Sequence, residues 1–503
     1  MLLMLIGIVI GYLVFMWVFA LTDLPGLHGD EAWFGLTADS YNQQGIKQIF
    51  GMNTYTGILQ SYFSSVIFTW FGAGILQMRI TGVIFNLFSM LILVSAMWKW
   101  RLKFSAVILL LGITQSAFFL VSPRVAWEIN SFGPFFLVLF FVSIGNLVND
   151  RCRLTQFRVI FFLLINLAGS YNHILFSCLP ISCLFGVALW SIARKRSYLN
   201  NILILLFFNA INMLVLFLSM RYLSDEMFKH LVIIFCLVSG VLIIEGKAIL
   251  QVSKLRGQIS FKWVNNRNAL ALLLSFALIF AYFHGLAFYK LITNFTVLFH
   301  FFSLRTQGLE QQILICAGVG LLLIAILQLI KDWYAGFQSV WPFIILSYLG
   351  FLSLYTTACS FRYYGAIYLT IIIYIGLRFG NKLRAAVPLM AVLLVASVLV
   401  GFNVINIYHQ KNTILKPGKF SMGHGQVETS AHFLSVKPLI TFCRENKISQ
   451  IKYLSNEYFM EQPILFFNLI SPWGKLENSK AVFDYNFKAP GTGFIMIKTK
   501  NTE

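Results

Sequence analysis

Apolar runs of roughly 17–22 residues recur along most of this chain, beginning with "MLLMLIGIVIGYLVFMWVFAL" at 1–21, and that length matches a bilayer when the run is helical. The expected spans are 1–21, 78–98, 105–122, 130–148, 159–172, 174–193, 199–220, 230–249, 268–289, 311–330, 340–357, 363–379 and 385–405. Residues 58–75 are apolar but interrupted, and are expected to form an interfacial or re-entrant helix. Composition agrees: at 58% hydrophobic and 11% charged residues, 503 residues carry too little charge to solvate a globular surface. The first run lacks a basic start and a small-residue cleavage site, so it is expected to stay as a helix, not to be removed as a signal peptide.

The net charge of +20 sits in short loops between the runs, not on one exposed face, so no nucleic-acid partner is expected. "KWRLK" (99–103), "DRCRLTQFR" (150–158), "RKR" (194–196), "KLRGQISFKWVNNR" (254–267) and "RFGNKLR" (378–384) fall on one set of alternate loops. Basic loops stay cytoplasmic, which puts the N-terminus inside and the alternate loops outside. The tail, 406–503, is richer in charge and reads as a small α/β domain on the outer face, with strands at "QIKYL" and "GFIMIKT" and a helix at "SVKPLITFCRENK". The seven cysteines are scattered without CxxC or metal-ligand spacing, so cysteine chemistry is not expected. The fold class is therefore an α-helical polytopic membrane protein, with a transmembrane domain at 1–405 and an extracytoplasmic α/β domain at 406–503.

Acids are scarce, which makes their placement informative. Asp23, Asp30, Glu31 and Asp39 share the first outer loop (22–58), and Glu128 follows Arg124 in "SPRVAWE". Arg79, the Asp225–Glu226 pair, Lys290, His300, Arg305, Glu310 and Arg362 fall on the same face. An acidic pair in a wet loop is ordinarily just solvated. Here Leu27, Trp33 and Phe34 flank the pair and favour burial, and ionisable groups at span ends tend to mark sites. Arg79 and Arg124 have two readings, site residues or anchors that reach up to lipid headgroups.

The order of these features resembles the GT-C superfamily of polyprenyl-phosphate-sugar-dependent glycosyltransferases, in the branch of protein O-mannosyltransferases and the lipid A aminoarabinose transferase. The residues that carry the resemblance are "HGDEAWFGLTADSYNQQG" (28–45), the interfacial helix, "MRITGVIFNLFSMLI" (78–92), "SPRVAWEINSFGPFFLVLFF" (122–141) and "FRYYGAIYLTIIIYIG" (361–376). The resemblance implies transfer of a sugar from an undecaprenyl-type phosphate to a lipid A-like or protein acceptor at the outer face of a bacterial inner membrane. It implies Asp30 as the catalytic carboxylate, with Glu31 beside it and His28, Asp39, Glu128 and Tyr363 in support. Arg79, Arg124, Lys290, Arg305 and Arg362 become candidates for the donor phosphate, with bracing of the loop as the other role the resemblance implies for Arg79 and Arg124. Two departures stand out: "GMNTYTGILQSYF" lacks the prolines family members often carry before the tyrosines, and Glu128 stands where Asp is frequent.

The chemistry suits these residue types. A lipid phosphate is already a good leaving group, so it needs cations more than a general acid. A hydroxyl acceptor needs one base, which a carboxylate supplies. Three roles are open to Glu31: a divalent-metal ligand with Asp30, a partner that orients a tyrosine, or an ion pair with an arginine. The competing functions are a secondary transporter or lipid flippase, a surface-polysaccharide polymerase or ligase, and a non-catalytic scaffold. A transporter predicts ionisable groups at span midpoints and an internal repeat, and neither is evident.

Overall fold

The computed structural model describes residues 2–53, 55–100, 102–148, 156–194, 209–210, 309–334, 340–353, 361–380 and 383–409, together with 433–434, 436–445, 450–453, 458–470, 482–487 and 495–500 of the tail. The expected spans at 230–249 and 268–289, and all but two residues of 199–220, lie outside the described residues, as do Asp225, Glu226, Lys290, His300 and Arg305.

The described residues are mostly helical. Helix α1 (Leu2–Val18) leads through a short strand β1 (Leu27–His28) into α2 (Gly29–Gln44), followed by α3 (Leu59–Phe71) and α4 (Ile75–Lys99). Next come α5 (Lys103–Thr114), α6 (Ala117–Val121), a 3-10 turn at Ser122–Arg124, α7 (Glu128–Ser131), α8 (Gly133–Val148) and α9 (Gln156–Asn172). A second 3-10 turn at Ile174–Ser177 enters α10 (Cys178–Arg194). The later helices are α11 (Leu309–Tyr334), α12 (Trp341–Ser353), α13 (Gly365–Phe379), preceded by a 3-10 turn at Phe361–Tyr364, and α14 (Leu383–His409).

Helix α5 sits at the centre because it has no polar side to offer solvent. Its residues from Ser105 to Thr114 are all buried, as expected of a helix that is apolar all round. It packs against α1, α13 and α14. Its few polar atoms bond across the interfaces: Ser105 Oγ donates to Gly376 O at 2.7 Å, and Tyr368 OH donates to Gly112 O at 2.8 Å.

The single span expected at 105–122 is broken. Helices α5 and α6 meet at 81°, where Gln115 and Ser116 interrupt the apolar run. Ser116 Oγ caps α6 by accepting from Phe119 N at 3.3 Å, so the break gives freed backbone groups a partner. Among the described residues, Ile75–Lys99 is the one unbroken helix long and apolar enough to cross a bilayer by itself. Six more stretches at expected spans, among them Leu2–Val18 and Ala386–Phe402, are helical and apolar over 10–17 residues.

Helix α3 is built inside out. Its inner face is polar, with Gln60, Ser61, Ser64 and Ser65 buried, and Ser61 Oγ donates to Phe34 O at 3.2 Å. Its outer face is apolar, with Tyr62 42%, Val66 41% and Trp70 78% exposed at a spacing of four. A helix in water carries the opposite pattern.

The tail forms β2 (Phe433–Leu434), α15 (Val436–Glu445), β3 (Gln450–Tyr453), α16 (Tyr458–Ile470), β4 (Val482–Phe487) and β5 (Ile495–Lys500). Strand β4 pairs parallel with β3 and antiparallel with β5. The tail also reaches back to the first loop. Strand β2 pairs antiparallel with β1, placing Phe433 opposite His28 and Leu434 opposite Leu27. Leu27, Ala32 and Phe68 share an apolar cluster with Val436, Ile464 and Phe466. Gly35 makes this approach possible, since a Cβ there would collide with the Phe466 ring.

Candidate active site

Asp30 and Glu31 are neighbours in sequence but not in space. Successive helical residues are about 100° apart around the axis, so only one of the pair faces any given partner. Here the N-terminus of α2 sends them to different arginines.

Glu31 goes to Arg79, and both are fully buried. Arg79 Nε donates to Glu31 Oε1 at 2.7 Å and Nη2 to Oε2 at 2.8 Å, a bidentate fork. Its remaining donors reach Leu21 O (2.8 Å), Pro25 O (2.9 Å) and Gly26 O (3.0 Å), so all five are engaged. Glu31 also accepts from Ala126 N at 3.0 Å and His28 N at 3.4 Å. Four bonds fill its four lone-pair positions. Arg124 is likewise buried: Nε donates to Leu24 O at 3.0 Å, Nη1 to Met16 O at 2.7 Å, and Nη2 bonds Phe19 O. Of the two roles expected for Arg79 and Arg124, donor phosphate or loop brace, the geometry here is that of a brace between α1 and α2. The reason is geometric: residues 19–26 turn sharply, and their carbonyls lack helix or strand partners.

Asp30 goes to Arg362, from the 3-10 turn before α13. Arg362 Nη1 lies 3.6 Å from Asp30 Oδ2, and the two side chains are 11% and 10% exposed. The guanidinium stacks over Trp127 at 4.6 Å and over its neighbour Tyr363 at 4.9 Å, and Nη2 donates to Tyr363 OH at 3.0 Å. His28 caps α2 by accepting Asp30 N–H on Nδ1 at 3.0 Å, and its ring meets Trp127 edge-on at 4.6 Å. Because Nδ1 holds a lone pair, the 3.9 Å approach of Asp30 Oδ2 to it is not an ion pair.

Burial dominates the electrostatics. It pushes the Asp30 carboxyl above the ordinary carboxylate range, and Arg362 pulls it part of the way back. Glu128, at the start of α7, is pushed up to about 7 by burial, against the pull of Arg362 and with a further push from the Asp30 charge. His173, just past α9, is driven down to about 3 by burial and by Arg362, so it is neutral. Its ring lies 5.3 Å from Tyr363.

Arg362, Tyr363 and His173 line a partly open cavity. Most of the remaining wall is apolar, with Phe118, Leu137 and Phe176 among it.

Of the residues expected from sequence, His28, Asp30, Glu128, Arg362 and Tyr363 belong to this constellation. Asp39 does not. It lies nine residues, roughly 13 Å of helix rise, beyond Asp30, and accepts from Gln43 Nε2 at 2.6 Å. Trp127 and His173 join the site without having been singled out; a histidine inside the apolar "SYNHILFS" is the signal that could have marked one of them. A divalent metal between Asp30 and Glu31 does not fit: Glu31 has no free lone pair, and Asp30 already faces a guanidinium. No cluster of three or more His, Cys, Asp or Glu occurs among the described residues.

No protein-family model matches the chain, and no curated protein does. Solved structures of ArnT from Cupriavidus metallidurans align with it at very low identity. The apo state matches at 11% identity and the form bound to undecaprenyl phosphate at 12%, each covering 95% of this chain and 92% of the other with a TM-score of 0.35. A likeness that distant leaves the functional argument to the site itself.

Proposed function

We propose that this chain is a membrane glycosyltransferase of the GT-C type, which moves a sugar from a polyprenyl-phosphate donor to an acceptor at the outer face of the membrane. The observation that carries this reading is the buried Asp30–Arg362 pair beside a largely apolar cavity. Arg362 supplies the cation that stabilises charge on the departing phosphate, with a geometry suited to two phosphate oxygens. Asp30, raised by burial, is the better base for it. As the acceptor oxygen bonds the anomeric carbon, the carbon–phosphate oxygen bond breaks. The hydroxyl proton then passes to Asp30 and the phosphate leaves as an anion. One carboxylate and one attack give inversion. A lipid-phosphate acceptor would bring no hydroxyl proton, and Asp30 would then orient rather than deprotonate.

Membrane placement is supported by the inverted α3 and by exposed Leu3, Met4, Ile8 and Phe15 on α1. The buried ionisable groups described above lie at or near element ends, not at helix midpoints, which favours a transferase over a secondary transporter. The test is transfer from a radiolabelled polyprenyl-phosphate sugar in membranes. Asp30→Asn is expected to reduce turnover about 10²–10⁴-fold with a hydroxyl acceptor. Activity near the parent level in Asp30→Asn would refute the base assignment.

A further inference from the structure

Five polar side chains bring unpaired atoms to the wall of the cavity. Ser122 Oγ, both side-chain atoms of Asn130, Asn172 Oδ1, His173 Nε2 and Arg362 Nε have no hydrogen-bond partner among the described residues, and all five residues line the cavity. Ser122, Asn130, Asn172 and His173 are each at most 3% exposed. They converge from four segments: the turn after α6, α7, the end of α9, and the turn before α13. A buried polar atom left without a partner is costly, and five residues meeting in one largely apolar cavity point to a polar occupant.

Their chemistry narrows the occupant. His173 Nδ1 accepts from Leu175 N at 3.2 Å, so the ring proton is on Nε2, which donates. Asn130 donates and accepts, Asn172 Oδ1 accepts, Ser122 does both and Arg362 Nε donates. Such a mixture matches hydroxyl groups, each of which is both donor and acceptor. It does not match an ammonium, which needs acceptors and an opposite charge. No carboxylate is among the described residues that line the cavity, and the nearest one, Asp30, faces Arg362, the cation that does line it.

We infer that this cavity is the glycosyl subsite, and that it selects a neutral, hydroxyl-rich sugar over an amino sugar. The inference rests on the proposed transferase reading, with the donor phosphate at Arg362 and its sugar among the asparagines.

The test reconstitutes the full chain in nanodiscs and measures binding of three probes by native mass spectrometry. These are bare polyprenyl phosphate, the same lipid bearing a neutral sugar, and the same lipid bearing an amino sugar. The neutral glycolipid is expected to bind about tenfold more tightly than the bare lipid, the worth of one or two good hydrogen bonds. The amino glycolipid should gain nothing over the bare lipid. Asn130→Ala and Asn172→Ala should each lower the ratio of neutral glycolipid to bare lipid several-fold. The near-isosteric Asn130→Asp, which adds a carboxylate, should shift preference toward the amino sugar. Preference for the amino sugar in the parent, or an unchanged ratio in both alanine variants, overturns the inference. Equal binding of all three lipids overturns it too but leaves the transferase reading standing, whereas no binding of any of them overturns both.

Discussion

Arg79 is the side chain whose removal should do most harm without touching the proposed chemistry. Replacing it with leucine leaves Glu31 as a buried unpaired charge and strips three carbonyls of their donor. Breaking a buried pair in this way costs about 3–5 kcal/mol, so Arg79→Leu should show a large loss of thermal stability in detergent. Arg362→Leu, by contrast, leaves an Asp30 that burial already raises and that can take up a proton, so it should lose transfer at a smaller cost in stability. Glu128 offers a pH test. The folded chain holds its proton up to about 7, against 4.5 for the free side chain. Its stabilising contribution is therefore full below about 4.5 and lost as pH rises through about 7. Neutral His173 works in the opposite sense, losing stability as pH falls below its ordinary range, so the informative quantity is a difference. The Tm of Glu128→Gln minus that of the parent should grow from pH 5 to pH 8; a flat difference would mean Glu128 titrates as a solvated carboxylate.

At the scale of elements, the seam between α2 and α16 decides how firmly Asp30 is held. Helix propensity alone favours alanine over glycine in a helix interior by about 1 kcal/mol. At Gly35 the added methyl group meets the Phe466 ring, and overpacking of this kind costs about 1–3 kcal/mol. The clash should win, so Gly35→Ala is expected to lower Tm, and Phe466→Ala in the same chain to recover part of the loss. Additive effects of the two substitutions in a double-mutant cycle would show that α2 and α16 do not touch in the working protein. The kink between α5 and α6 is the other decisive element, because it delivers Arg124, Trp127 and Glu128 to the end of the bundle where α2 begins.

For the whole molecule, the tail is part of the site's support, since β2 pairs with the strand that leads into Asp30. Ending the chain after His409 removes β2 and α16. Transfer activity should fall below detection while the helical circular dichroism signal stays close to the parent's in proportion to length. Retained activity would show that α2 holds its place without the tail.

Much of this was legible in the chain itself. Long apolar runs with few charges commit the backbone to helices, because main-chain groups away from water must bond within their own segment. The scarcity of acids drew attention to the first outer loop with Asp30 and Glu31, and the family resemblance, through "FRYY", drew it to Arg362. The sequence could not divide the labour between Asp30 and Glu31, because two adjacent carboxylates look alike until a helix turns them apart. Nor could it distinguish a bracing arginine from one that reaches the cavity: Arg79, Arg124 and Arg362 all sit near helix ends, and the path of the chain from α1 into α2 engages the first two. Trp127, His173 and the asparagines of the cavity come from segments far apart in the chain, so their convergence exists only once α7, α9 and α13 pack. Local pattern is set by each segment's own solvation, whereas the site is set by which segments share a wall, and packing alone determines that.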